Sequence, residues 1–558
     1  MRKNKGVALA LMASMIGVVG CSSNSVSNSN SPAASAYTGS SSPKAQENIT
    51  ITTARTLGSD YVFMNGEDIN NNVHTKWAKE KLGITLKELW DVPTADAYTT
   101  KLRLTLTTND QLPDVFVLTD ENLIANLMES GKVKDISADF EKYASERIKK
   151  LYADNNSVFN QVKKGNQVLA LPLLAGGDST NPVLWVRQDW LDKLNLKAPK
   201  TLDEFEKVMD AFTNNDPDGN GKKDTFGFAV SGKNGYSNWM SDASFIFGAS
   251  SGKFIPNMWY KGDDGTLKYG SVQPEMKQGL AKLQDWFKKG YLDPELAAND
   301  EVKATEAFVQ GKAGMVAAPN YSKTWPLGDV KKASPNAKLG VYPLPTGVDG
   351  KSARYQGPVN EKRVMMFNKD FKYMDAFFKY LDRIYDFQYE TGDFKLGWYE
   401  NYDYAMVDGK PVYDGKKFPT PVDKLPTPAK YTLFGNSPDI PFKLSTDADY
   451  IAKGGEPKTR QQISLAQSGK DDVGVIAKAI NFQLKNTNAP SLFNGSPTET
   501  MKNKGDSLKT MELEAYTKII YGKDPLDKFD SFVADWKSKG GDQVTKEVND
   551  WYKSIGGK

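Results

Sequence analysis

From residue 49 onward the apolar positions switch repeatedly between a period of two and a period near three and a half, the mark of strands alternating with helices. Ile49–Thr53 predicts a strand, and Asn72–Leu82 a helix with Val73, Trp77 and Leu82 turned inward. Ile84–Trp90 predicts the next strand and Tyr98–Thr107 the next helix. Leu112–Leu118 reads as a strand behind the Pro113 turn; Gln167–Leu173 and Val183–Val186 are further strands, separated by Pro172 and the Gly176-Gly177 turn. Leu202, Phe205, Met209 and Phe212 keep helical spacing, and Thr201 with Glu204 supplies the capping-box pair that fixes where this helix starts. Met276, Leu280, Leu283 and Phe287 mark another helix, and Phe371, Met374, Phe378, Leu381 and Tyr385 one more. Residues 507–554 read as helical with brief breaks. The alternation predicts the α/β class with largely parallel sheets.

The first 48 residues break this pattern. Residues 1–20 have a basic start (Arg2, Lys3, Lys5), an apolar stretch from Val7 to Val19 and no acid, which predicts a secretory signal too short to span a membrane comfortably. It ends in Val18-Val19-Gly20-Cys21, which resembles the bacterial lipobox, with Val18 in place of the commoner leucine. Cys21 is then the expected lipidation site and membrane anchor. Ser22–Ser42 is about half serine and has too little apolar surface to offset its ordering entropy, so 21–47 is expected to be a lipidated, disordered tether.

Composition narrows the function classes. The chain has 558 residues, enough for several domains, and a formal net charge of +3. The three leader bases account for that excess, and the remaining body is balanced, which argues against nucleic acid and suits an uncharged ligand. One cysteine and one histidine, His74, exclude an intrachain disulfide and multi-His or multi-Cys metal sites. Nucleophilic triads would rest on His74 alone, which sits beside Asn70–Asn72 and is expected to be a solvent-exposed or capping residue. Gly350-Lys351-Ser352 ends like a phosphate-binding loop, but Pro345 stands where the earlier glycine is required. A pair of acids for glycoside chemistry stays open, because a chain with 69 acids always offers one.

The sharpest local signal is Asp216-Pro-Asp218-Gly-Asn220-Gly221-Lys222-Lys-Asp224. Oxygen side chains at relative positions 1, 3, 5 and 9, with glycine at 6, follow the calcium loop of an EF-hand. Asp216, Asp218, Asn220, the Lys222 carbonyl and Asp224 would supply ligands, and Gly227 stands where the bidentate glutamate belongs. With a helix before it and a strand (Phe226–Val230) after it, the loop is expected to be a structural calcium clip.

The order Leu112-Pro-Asp114, Gln167–Pro172, Trp185-Val-Arg187-Gln-Asp189-Trp190-Leu191 and Pro199–Phe205 resembles the family 1 extracellular solute-binding proteins. It is especially similar to their long lipoprotein branch serving carbohydrate ABC importers of Gram-positive bacteria. Gly290–Glu295, Phe308–Met315, Pro343-Leu-Pro345 and Ile519–Tyr552 continue the match, and Asp216–Gly227 matches the calcium stretch of alginate-oligosaccharide-binding relatives, with Thr225 where an acid often stands. The resemblance implies a two-lobed, periplasmic-binding-protein-like type II hinge fold with a helical C-terminal region. The expected partition is 48–165 with about 300–358 as one lobe, and 166–299 with about 359–558 as the other. It also implies a monomer on the outer face of the cell membrane that carries an oligosaccharide to ABC permease subunits and catalyses nothing. A carbohydrate-active enzyme and a binder of a non-sugar solute such as a peptide are the competing readings. Sugar rings stack on aromatic faces while their hydroxyls need polar partners. Trp239, Trp325, Tyr355 and Trp398, in polar or glycine-rich loops, are the candidate stacking residues, with Arg354 and Glu67 as polar candidates. Trp77, Trp90 and Trp286 fall in element patterns and are expected in the core.

Overall fold

The computed structural model describes residues 49–556 apart from 60, 109 and 361. The expected leader, Cys21 and serine-rich tether lie outside the described residues. In the first lobe, Ile49–Thr56 and Ile84–Val92 pair in parallel, Ile49 opposite Ile84, with a bulge that skips Leu89. Val364–Phe367 runs between Val115–Leu118 and Leu171–Pro172, antiparallel to both. Asp114 ties the two sheets together: its Oδ2 accepts the Thr52 N–H and hydroxyl at 2.8 and 2.7 Å. The helix Met374–Tyr389 buries Phe377, Tyr380, Leu381 and Ile384 against Ile51, Ile84 and Met365.

The second lobe is built on a four-stranded sheet in the order Leu339–Tyr342, Pro182–Arg187, Ala313–Pro319 and Phe226–Ala229. Pro182–Arg187 and Ala313–Pro319 are wholly buried, as continuous apolar runs in a sheet covered on both faces must be. The helix Leu202–Asn214 starts where the sequence predicts, but only half of the capping box forms. The Thr201 hydroxyl accepts the Glu204 N–H at 3.3 Å, while the Glu204 carboxylate reaches past Thr201 to the Lys200 N–H at 2.7 Å. The C-terminal helices Glu499–Ile520, Lys528–Trp536 and Asp542–Ser554 close the core through Tyr516, Phe529, Phe532 and Val544, which pack with Phe205, Phe228 and Trp286.

Two expectations need correction. The sheets are mixed: Pro182–Arg187 is antiparallel to both neighbours, and Ala313–Pro319 runs parallel to Phe226–Ala229. The lobe partition also differs. Strands Ala313–Pro319 and Leu339–Tyr342 pair with Pro182–Arg187, so 300–342 belongs with 182–299. Val364–Phe367 pairs with Val115–Leu118, which puts that strand and the helix after it with the first lobe. Hydrophobic period reports each element but carries no information about its pairing partner.

Three segments cross between the lobes, near 173–181, 343–363 and 435–442. They bond to one another: Ala175 N–H to the Val359 carbonyl at 2.6 Å, Asp439 N–H to Leu174 at 2.9 Å and Phe442 N–H to Gly176 at 2.7 Å. Their approach is close enough that a Cβ on Gly357 would stand 2.0 Å from the Thr180 hydroxyl oxygen. No helix among the described residues is long and apolar enough to cross a membrane.

Burial pushes the carboxyls of Asp242 and Glu512 up to about 7. A raised folded-state pKa gives stability that is full below the unfolded value near about 4 and is lost as pH rises through the folded value. Glu512 accepts the Tyr269 hydroxyl at 3.0 Å, an arrangement that glutamine keeps without a titrating proton. Urea unfolding of Glu512→Gln at a series of pH values is expected to show a smaller loss of stability between about pH 4 and 7 than the parent. An unchanged slope would contradict the burial argument.

Candidate functional site

The site begins where the crossings meet the helix Val473–Gln483, which packs on strands Pro182–Arg187 and Leu339–Tyr342. Asn481 on that helix is fully buried, and its amide donates to the carbonyls of Asp178 at 3.0 Å and Asn181 at 3.3 Å. Asn320, at the end of the central strand, donates to the same Asp178 carbonyl at 3.2 Å. Arg354 enters from the second crossing, 1% exposed, and donates to the Pro182 carbonyl at 3.0 Å and to Asn481 Oδ1 and carbonyl at 2.8 and 3.2 Å. Burial pulls its pKa down to about 9, opposed by the charges of Asp178 and Asp242, so it stays a cation at neutral pH.

The Asp178 backbone is thereby pinned and its side chain, 3% exposed, forms part of the wall of a cavity of about 410 Å³. Its Oδ2 is buried without a hydrogen-bond partner, and burial raises the carboxyl pKa against the Ser445 hydroxyl and the Arg354 charge. From the first lobe come Phe387, Gln388, Trp398, Asp403 and the 426–429 and 436–440 segments; Lys443, Arg460 and Gln461 face them. Gln388 donates to Asp439 at 2.7 Å, and both Asp403 oxygens accept backbone N–H groups, from Trp398 at 2.9 Å and Tyr399 at 2.8 Å. Arg460 lies 3.9 Å over the Phe387 ring and donates Nη2 to the Phe387 carbonyl at 3.0 Å, while its Nε is buried without a partner. Burial lowers its pKa, opposed by Glu390. The cavity thus holds apolar ring surface beside polar side chains, among them Asp178 and Arg460, each with one buried polar atom that has no hydrogen-bond partner, the mixed lining of a small-molecule site.

The predicted residues fall into separate places. Trp398 lines the cavity, yet it is 4% exposed and one face is covered by Phe387, ring centroids 4.5 Å apart and 13° from parallel. Trp239 and Trp325 come together on the second lobe, 6.4 Å apart and 10° from parallel, with Trp325 48% exposed. Trp239, Val473 and Ile476 all pack against the same buried cluster of the second lobe. Glu67 accepts the Tyr402 hydroxyl at 2.8 Å, next to cavity-lining Asp403, and its other oxygen is buried without a partner. Tyr355 packs beside Ile255, Ala353 and Ala489 and does not line the cavity. Arg354 is corrected from ligand candidate to structural cation. His74, expected to be exposed or capping, is instead fully buried and hydrogen-bonded to the hydroxyls of Tyr399 at 2.9 Å and Tyr380 at 2.7 Å, and burial takes its pKa down to about 3. Its neighbour Val73, expected inward, is only half buried. Asp178 and Arg460 were missed. The double glycine before Asp178 was a usable signal, whereas nothing local marks Arg460.

The Asp216–Asp224 loop folds on its own side chains. Asp216 Oδ1 accepts the N–H groups of Gly219 and Asn220 at 3.0 Å each, and Oδ2 that of Gly221 at 3.1 Å. Gly219 and Gly221 take the left-handed backbone that the tight bend requires, at φ 78° and 75°. The Asn220 amide nitrogen bridges Asp218 at 2.7 Å and both Asp224 oxygens at 3.2 and 3.3 Å. Burial and the neighbouring Asp216 and Asp224 carboxylates push Asp218 up. Among the described residues no three acidic, histidine or cysteine side chains are placed to hold a metal as they stand. The donor types are nevertheless the hard oxygens that calcium takes, and turning Asn220 to present its carbonyl oxygen would replace the bridging nitrogen.

Two α/β lobes joined by bonded crossings, with a polar and aromatic cavity beside them, define a two-lobed binding protein of the type II class. The chain belongs to the bacterial extracellular solute-binding protein family, whose model matches residues 65–385. It is 28% identical over 376 residues to the polygalacturonan/rhamnogalacturonan-binding protein YtcQ of Bacillus subtilis, covering 66% of this chain and 67% of that one. Lipoprotein LipO of the same organism is 25% identical over 494 residues, 85% of this chain and 87% of the relative. The Streptococcus pneumoniae ABC-transporter substrate-binding protein FusA in complex with kestose shares the fold at a TM-score of 0.60 and 17% identity, over 91% of this chain and 99% of that one.

Arg354→Ala leaves the Pro182 carbonyl and the Asn481 oxygens without their buried donor and is expected to cost about 1–3 kcal/mol or more of stability, read by chemical denaturation. A loss within about 0.5 kcal/mol, the scale of an ordinary surface substitution, would show that the crossings do not depend on it.

Proposed function

We propose that the protein captures an oligosaccharide between its lobes outside the cell and hands it, unaltered, to an ABC import permease. The observation that carries this reading is the cavity beside the crossings, where the rings of Phe387 and Trp398 share a wall with the polar side chains of Asp178, Asp403 and Arg460. The parallel Trp239–Trp325 pair supplies an exposed aromatic face of the kind sugar rings stack on. The names of YtcQ and FusA support a carbohydrate ligand, and that of LipO supports lipid attachment at Cys21, which would hold a monomer at the outer face of the membrane. A carbohydrate-active enzyme would shorten the sugar; a binder returns it intact after incubation.

The Asp216–Asp224 loop fits a structural calcium ion held by Asp216, Asp218, Asn220, the Lys222 carbonyl and Asp224. The ion would neutralise the crowded carboxylates and stiffen the link between the helix Leu202–Asn214 and the strand Phe226–Ala229. A FusA structure described as an EF-hand mutant, with the same fold, is consistent with such a loop in this class.

Two measurements test the reading. Trp325→Ala is expected to weaken oligosaccharide binding by about tenfold in titration calorimetry, corresponding to a lost stacking contact of about 1–1.5 kcal/mol, with the melting temperature unchanged. Unchanged affinity would remove the aromatic pair from the site. A chelator is expected to lower the melting temperature of the purified protein, and calcium addition to restore it; no shift, with no calcium by elemental analysis, would exclude the clip.

A further inference from the structure

We propose that the cavity selects uncharged, hydroxyl-rich saccharides and discriminates against uronate oligomers, an inference that rests on the carbohydrate reading of the same cavity. Its lining carries three carboxylates, Asp178, Asp403 and Asp439, against two cations, Lys443 and Arg460. Lys443 is already engaged, its ammonium 2.9 Å from Asp447 and 3.4 Å from Glu390, two more acids just behind the wall. No carboxylate lies within ion-pair distance of the Arg460 guanidinium among the described residues, so Arg460 is the one cation left to meet an incoming anion. Its capacity for that is reduced: Nη2 is committed to the Phe387 carbonyl, so the Nε–Nη2 edge that grips a carboxylate at two points is half used. The Nε–H suits a single hydroxyl or ring oxygen, and the Nη1 end of the guanidinium keeps its own donors.

The acids have the opposite bias. Asp178 Oδ2 is buried and unpartnered, and an ionised carboxylate only accepts hydrogen bonds. A sugar hydroxyl satisfies it by donating. A uronate carboxylate has no proton to give and adds a negative charge to a wall that already holds an excess. Asp403 and Asp439 cannot turn away, since backbone N–H groups of Trp398 and Tyr399 fix the first and the Gln388 amide holds the second. Removing one sugar charge should therefore improve binding, because repulsion between like charges about 4 Å apart near a protein surface is worth about tenfold or more in affinity. The two relatives whose names specify a sugar divide on this point, polygalacturonan/rhamnogalacturonan for YtcQ and fructooligosaccharide for FusA. The lining places this chain on the neutral side.

The test is titration calorimetry of the wild-type protein at neutral pH against two sets of probes. One is a matched pair, trigalacturonate and its fully methyl-esterified form. The other is a panel of neutral fructan, arabinan, galactan, xylan and glucan oligosaccharides. The expected result is tight binding of a neutral member, affinity that varies little with salt, and every uronate weaker by about tenfold or more. Tighter binding of trigalacturonate than of its ester and of every neutral sugar would overturn the inference and leave the carbohydrate reading standing. Binding of no saccharide at all, with binding of a peptide instead, would overturn both. Asp178→Asn should narrow the gap between trigalacturonate and its ester; an unchanged gap would show that Asp178 is not the discriminating acid.

Discussion

The structure depends on keeping a guanidinium out of water at the place where the chain crosses between its lobes. Among the described residues Arg354 has no ion pair; carbonyls and Asn481 hold it, and its Nε is buried without a partner. A buried cation is expensive unless its hydrogen bonds are supplied, and supplying them draws in Pro182, Asn481 and, through the Asn481 amide, Asp178 and Asn181. Asn181 then accepts the Gly357 N–H at 2.9 Å, which returns the network to Arg354's own crossing. Three separate stretches of sequence are fixed by one set of polar groups. The network ties two of the crossings to the second lobe's sheet and helix, and it pins the backbone of Asp178 beside the cavity.

This arrangement links function to the hinge. The cavity-lining residue Asp178 is also the residue whose carbonyl is held by Asn320 and Asn481. A ligand that engages Asp178 touches the first crossing directly, while Phe387, Trp398 and Asp403 belong to the first lobe and Lys443 and Arg460 follow the third crossing. A solute bridging these groups favours the conformation in which they are close, and a two-state hinge responds to that difference in affinity. The exposed Trp239–Trp325 pair adds ring surface without hydrogen-bond demands.

Most elements were legible in the sequence because apolar period is a local property. The Thr201 start, the Met276 helix and the strands at 49, 84 and 183 depend on neighbours in the chain. Pairing does not. Val364–Phe367 and Ala313–Pro319 are both short, wholly buried apolar runs, and nothing in either says which sheet receives it; the predicted lobe boundaries failed there. The site was legible to the same extent. Trp239 and Trp325 were recognisable from polar surroundings and were found together. Arg354 and His74 were misjudged because a polar residue type suggests exposure, whereas both have partners distant in sequence that make burial tolerable: Asn481 for one, Tyr380 and Tyr399 for the other. Arg460 owes its place to Phe387, a partner that no local motif announces.

The claim that a saccharide binds between the lobes is tested most directly by hydrogen exchange with and without the tightest-binding oligosaccharide. The account predicts added protection on both walls together, at Gly176–Ser179 and Trp398–Asp403 and also at Ser437–Lys443 and Arg460-Gln461. Protection confined to a single lobe, or found only away from these segments, would contradict it.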